Sequence, residues 1–217
     1  MKTATFALAG MLGLAAGLMA TPGSATAADQ LVGNASAGQS TMESVCALCH
    51  GVDGNSMDPQ YPKLAGQHAN YLAYQIESFK SGQRSNSIMS GMAAMLSKQD
   101  IANVAAYLSQ QKTSPGPTNS YEPALGKSIY VNGIAAAGLP SCESCHGADG
   151  LGDSNKMYPR IAGQHAQYVM QVLTGWHNGE AWGDSPHAKL VVEVAKKLTI
   201  EQIHAVSSYV QGLNAGK

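Results

Sequence analysis

The sequence predicts an all-α protein built from two tandem copies of one small helical unit. Three observations carry this. A set of motifs occurs twice: Cys46-Ala47-Leu48-Cys49-His50-Gly51 returns as Cys142-Glu143-Ser144-Cys145-His146-Gly147. Likewise Tyr61-Pro62-Lys63-Leu64-Ala65-Gly66-Gln67-His68-Ala69 returns as Tyr158-Pro159-Arg160-Ile161-Ala162-Gly163-Gln164-His165-Ala166. Apolar residues recur at helical spacing, as between Tyr71 and Phe79, and no period-two run is long enough to argue a sheet. A stretch rich in Pro, Gly and small polar residues, 113–120, separates the copies as a linker.

The elements follow in chain order. Residues 1–28 read as a cleaved secretory signal: Lys2 is the basic start, Ala4 to Ala20 the apolar run, Thr21 to Ser24 the break, and Ala25 to Ala28 the small residues of a cleavage site. No cysteine stands near that site to carry a lipid. Export implies an oxidising compartment, the periplasm. The first domain then spans 29–112 and the second 121–217. Ser97 and Thr199 stand where N-caps of the last helix of each copy belong, with Asp100 and Gln202 three residues on as capping-box partners. The offset between copies is 96 at the Cys motifs, 97 at the Tyr-Pro motifs and 102 at the last helix. The second copy therefore carries about five extra residues between Gly175 and Leu190.

Charge is nearly balanced, with 13 Lys and Arg against 14 Asp and Glu, and no long basic tract makes nucleic acid a partner. Each domain is small for an apolar core on its own, and a covalent apolar cofactor would supply the missing volume.

The Cys-x-x-Cys-His motifs name that cofactor. Two thiols add to the vinyl groups of a haem, and the adjacent imidazole reaches the iron from one face. A four-cysteine zinc site needs its pairs much closer than these, and a thioredoxin-like redox pair needs a βαβ setting that is missing. Two copies in matching contexts, in an exported chain with no other cysteine, point to two covalently bound haem c groups. Cys46 and Cys49 attach the first and Cys142 and Cys145 the second, with His50 and His146 on the irons. The second ring nitrogen of each histidine needs an acceptor, and the backbone at Pro62 and Pro159 is the candidate.

These motifs in combination, over essentially the whole mature chain, resemble the cytochrome c4 family. The dihaem subunit of flavocytochrome c sulfide dehydrogenase is similar too. The resemblance implies two tandem class I cytochrome c domains related by a pseudo-twofold axis. It also implies electron transfer between redox protein partners, such as a respiratory donor and a terminal oxidase or reductase. Loose association with a membrane surface stays open. In that fold a glycine of the first helix packs against an aromatic of the last, which pairs Gly38 with Tyr107 and Gly126 with Tyr209.

The family also places a methionine on the second face of the iron, eight residues before the cap of the last helix. In domain one this is Met89, in a loop-like stretch, with Met92 and Met95 as rivals that read better as core fillers. The same count in domain two lands on Val191, which cannot ligate iron. Met157 and Met170 fit badly. His187 is the candidate sixth ligand of the second haem, with His177 behind it and an open site as the alternative. His68 and His165 read as helix caps or haem-edge contacts, His204 as a surface residue, and Trp176 and Trp182 as shielding the second haem or packing the insert. Three functions stay in view: an electron carrier rather than an enzyme, the haem subunit of a dehydrogenase, or a haem enzyme or ligand-binding protein with an open second iron.

Overall fold

A computed structural model describes residue 1, residues 32–117 and residues 121–213. The predicted signal, 1–28, lies outside the described residues except for Met1, as do residues 118–120 of the linker. Among the described residues the secondary structure is helical, with two isolated β-bridges and no strand, and no helix is long and apolar enough to cross a membrane.

In the first half, helix α1 (Ala35–Thr41) begins at Asn34, whose side chain accepts the Ala37 N–H. It runs without a break through a π-helical turn, Met42–Cys46, into α2 (Ala47–His50). The wide turn delivers Cys46, and Gly51 at φ +76° ends the helix directly after His50. Helices α3 (Ala69–Ser81), α4 (Ser87–Ala94) and α5 (Lys98–Ser109) follow.

The second half repeats the plan with α6 (Pro123–Asn132), α7 (Glu143–His146), α8 (Ala166–His177), α9 (Pro186–Ala195) and α10 (Ile200–Gly212). Both expected capping boxes are present, at Ser97 with Asp100 and at Thr199 with Gln202. One departure lies between α6 and α7. Gly38 and Gly126 stand 88 apart, whereas the Cys motifs stand 96 apart. The additional residues form a loop closed by the Ile134–Leu139 bridge around a short 3-10 turn, Ala135–Ala137.

Each half is organised by its first and last helices. A Cβ on Gly38 would stand 2.0 Å from the Asn103 carbonyl oxygen and 2.9 Å from Tyr107 Cβ. A Cβ on Gly126 would stand 2.3 Å from the Ala205 carbonyl oxygen and 2.9 Å from Tyr209 Cβ. Only glycine allows these backbones to meet, and the two glycine–tyrosine pairs lie where the resemblance put them. Met42, Leu72, Val104, Ala105 and Leu108 form the core of the first half. Ile129, Tyr130, Leu139, Leu198, Ile203, Val206 and Val210 form that of the second. Tyr130 is wholly buried and donates its hydroxyl to the Gly147 carbonyl at 2.6 Å.

Both halves fall within one compact unit, 31–217. The described part of the linker is held between them. Ser114 N–H donates to Asn55 Oδ1 at 2.7 Å, its carbonyl accepts Lys63 Nζ at 2.9 Å, and Gln211 Nε2 donates to the Pro117 carbonyl at 3.2 Å.

Candidate haem sites and the interface between them

His50 is buried, and its Nδ1 lies 3.0 Å from the Pro62 carbonyl oxygen. His146 repeats this with Pro159 at 2.9 Å. A carbonyl oxygen only accepts, so each ring carries its hydrogen on Nδ1 and leaves the Nε2 lone pair free. Burial holds both imidazoles below their usual pKa, partly offset by the proline carbonyl. Both are therefore neutral, the form that binds metal.

All four cysteines are unpaired. Cys46 and Cys142 pack against the cores of their halves, and burial pushes each thiol up to about 11. Tyr61 stands edge-on to His50 at 6.2 Å, and Tyr158 stands 6.5 Å from His146. Unpaired thiols, a neutral imidazole with one free nitrogen and an apolar wall together fit a covalently held haem in each half.

The far side of each site differs from expectation. Met89 does not lie in a loop but in the first turn of α4, because the Asn86 side chain accepts the N–H groups of Ile88 and Met89 and nucleates the helix there. Met89 and Met92 are half-buried, while Met95 is 64 % exposed. In the second half Ser185 caps α9 and Pro186 occupies its first turn, so the stretch from His187 to Val191 is helical as well. Val191 is half-buried and offers only methyl groups. His187 is exposed and lies one turn before it, with its ring 5.1 Å from that of Tyr158. Tyr158 thus stands in ring contact with both His146 and His187. His177 Nδ1 instead lies 3.2 Å from the Ala195 carbonyl, at the opposite end of α9.

The expected helix-capping role of two histidines needs correction. His68 and His165 occupy cap positions of α3 and α8, yet neither side chain caps. Each spans the two halves: His68 Nε2 lies 3.0 Å from the Leu151 carbonyl, and His165 Nε2 lies 2.9 Å from the Ser56 carbonyl. Trp176 and Trp182 pack edge-on at 4.8 Å. Trp182 then covers the Arg84 guanidinium of the first half at 3.2 Å. His204 is exposed, 5.8 Å from Tyr121.

The interface also contains residues that sequence reasoning passed over. Gln67 Nε2 donates to the Arg160 carbonyl at 2.9 Å while its Oε1 accepts the Arg160 N–H at 3.0 Å. Gln164 grips Lys63 in the same way, at 2.9 and 2.8 Å. Asn70 Nδ2 reaches the Ser154 carbonyl at 2.6 Å, and Arg84 reaches the Tyr168 hydroxyl at 3.0 Å. The repeated Gln-His pair was the available signal, since one motif in two copies is what a twofold interface requires.

A twofold pair of helical domains, each with a tethered imidazole beside two thiols, defines a protein of the c-type cytochrome class. The cytochrome c family profile matches residues 35–112 and 123–214. Cytochrome c4 of Pseudomonas aeruginosa is 41% identical over 182 residues, covering 84% of this chain and 90% of that one. The solved structure of reduced recombinant cytochrome c4 from Pseudomonas stutzeri superposes with a TM-score of 0.78 at 38% identity, over 84% of this chain and all of that one. A thiosulfate dehydrogenase electron acceptor of Stutzerimonas stutzeri is 34% identical over 174 residues, 76% of each chain. The chain belongs to the cytochrome c4 family and carries two covalently bound haem c groups. Membership makes it an electron-transfer protein.

Proposed function

We propose that this protein is a periplasmic dihaem electron carrier, with residues 1–28 removed on export, haem domains over 29–112 and 121–217, and a linker at 113–120. It accepts electrons from one redox protein and delivers them to another, such as a terminal oxidase or reductase. Cys46 and Cys49 hold the first haem and Cys142 and Cys145 the second, with His50 and His146 as iron ligands. Met89 is the second ligand of the first iron, and His187 is the candidate at the second. When bound, each haem supplies a one-electron couple. The protein fixes the imidazoles through Pro62 and Pro159, excludes water with the two cores, and holds the halves in register through Gln67, Gln164, His68 and His165.

The observation that carries this reading is the duplicated imidazole–proline contact on either side of a reciprocal interface. Axial ligation is a main lever on haem potential, and methionine raises it. With His187 on the iron, the second haem lies below the first, and electrons enter at domain two and leave from domain one. A haem-resolved redox titration tests this; equal potentials, or the reverse order, remove the direction of flow.

A second reading is that the protein serves as the electron-accepting subunit of a dehydrogenase, favoured by the relative named as a thiosulfate dehydrogenase electron acceptor. Copurification of a dehydrogenase would support it. The Val191 position supports a third, in which the second iron is open and binds small ligands.

A further inference from the structure

In each half one peptide unit joins the iron-side histidine to the opposite half. The Pro62–Lys63 peptide accepts from His50 Nδ1 through its carbonyl at 3.0 Å and donates its N–H to Gln164 Oε1 at 2.8 Å. The Pro159–Arg160 peptide accepts from His146 Nδ1 at 2.9 Å and donates to Gln67 Oε1 at 3.0 Å. The glutamine amides have one workable orientation. Gln164 Oε1 also accepts the His165 N–H at 3.1 Å, and Gln67 Oε1 accepts the His68 N–H at 3.0 Å. A flipped amide would set its NH₂ against two donors. Both glutamines are buried, so water does not compete for these bonds.

We propose that the two glutamines are crossed positioning residues: Gln164 of the second half tunes the iron ligand His50, and Gln67 of the first half tunes His146. The N–H and C=O of one peptide share a π system. An acceptor on the N–H moves electron density onto the carbonyl oxygen, the cooperative strengthening expected along a chain of hydrogen bonds. A stronger acceptor at Pro62 draws on the Nδ1 proton of His50 and makes Nε2 the better donor to iron. That favours the oxidised iron and lowers the potential of the first haem. The same chain runs from Gln67 to His146. This inference rests on reading His50 and His146 as iron ligands.

The test uses the full holoprotein with Gln164→Met and, separately, Gln67→Met. The readouts are the potential of each haem and the Nδ1–H proton resonances of the two histidines in the reduced, diamagnetic state. Gln164→Met is expected to favour reduction of the first haem by about twofold in the equilibrium constant, the size that modest cooperativity allows. It also moves the His50 resonance and leaves the second haem and His146 unchanged. Gln67→Met gives the mirror result. Shifts in the haem of the substituted half, or equal shifts in both, overturn the proposal. Should one variant fail to assemble, the other decides by the same rule. The absence of ligated histidine signals in the unsubstituted protein would instead strike at the ligand assignment itself.

Discussion

The guanidinium of Arg84, in the turn between α3 and α4 of the first half, stands 3.2 Å from the centroid of the Trp182 ring in the insert of the second half. Phe79 closes the other contact at 4.4 Å, and Gln75 Oε1 and the Tyr168 hydroxyl accept from the two terminal nitrogens at 2.6 and 3.0 Å. A buried cation is tolerated when its donors are satisfied and its faces lie on aromatic rings. The insert is thus a clasp on the interface. A double-mutant cycle between Arg84→Ala and Trp182→Ala should return a coupling of about 2 kcal/mol in denaturant unfolding, the size of a desolvated cation–π pair. Additive losses would show that the stacking contributes nothing.

The helix crossings predict a sharp contrast among glycines. Gly38→Ala and Gly126→Ala place a methyl against backbone oxygens at 2.0 and 2.3 Å. Each should cost about 3 kcal/mol, at the upper end of overpacking, because a backbone cannot rotate aside. Gly212→Ala meets nothing within 4 Å and should be close to neutral. Thermal unfolding of the three holoproteins checks the order.

Acid should loosen the joined halves. His68 and His165 are held below the usual imidazole pKa, first by burial, with the Leu151 and Ser56 carbonyls partly opposing it. The folded protein therefore takes up protons at these rings less readily than the unfolded chain. Stability is full above the unfolded value near 6.5 and is lost as the pH falls through it. Unfolding midpoints measured from pH 8 to pH 5 should decline, and the decline should flatten in a His68→Gln, His165→Gln protein. An unchanged slope would place the protonation elsewhere.

The second iron responds to two substitutions. Val191→Met supplies a thioether at the residue that stands where Met89 does in the count from the helix cap, and should raise the potential of the second haem. His187→Ala should alter the spectrum of that haem alone if the imidazole ligates it. No change on His187→Ala assigns the ring to its contact with Tyr158.

Much of this was legible in the sequence because the motifs are local. A Cys-x-x-Cys-His turn and a Ser or Thr cap followed by Asp or Gln act over a few residues, and both copies carry them. The proline carbonyls beside His50 and His146 and the Gly38–Tyr107 crossing were expected through the family resemblance that the repeated motifs carry. The failures have physical causes. Met89 reads as a loop residue because Ser, Gly and Met give weak helical periodicity, whereas one Asn86 cap decides the matter. The roles of His68, Gln67 and Arg84 depend on the opposite half, and no single segment's pattern encodes such a contact. The loop between α6 and α7 escaped the motif offsets because it lies between Gly126 and Cys142, where only a glycine marks the register.

The most direct test of the account is a haem-counted redox titration of the purified holoprotein, run with and without carbon monoxide. The account predicts two covalent haems per chain, two separate one-electron steps with the upper one belonging to the Met89 domain, and no carbon monoxide bound after full reduction. A single haem, or two steps in the reverse order, would contradict it. Carbon monoxide at about half the irons would remove His187 from the second haem and favour the ligand-binding reading.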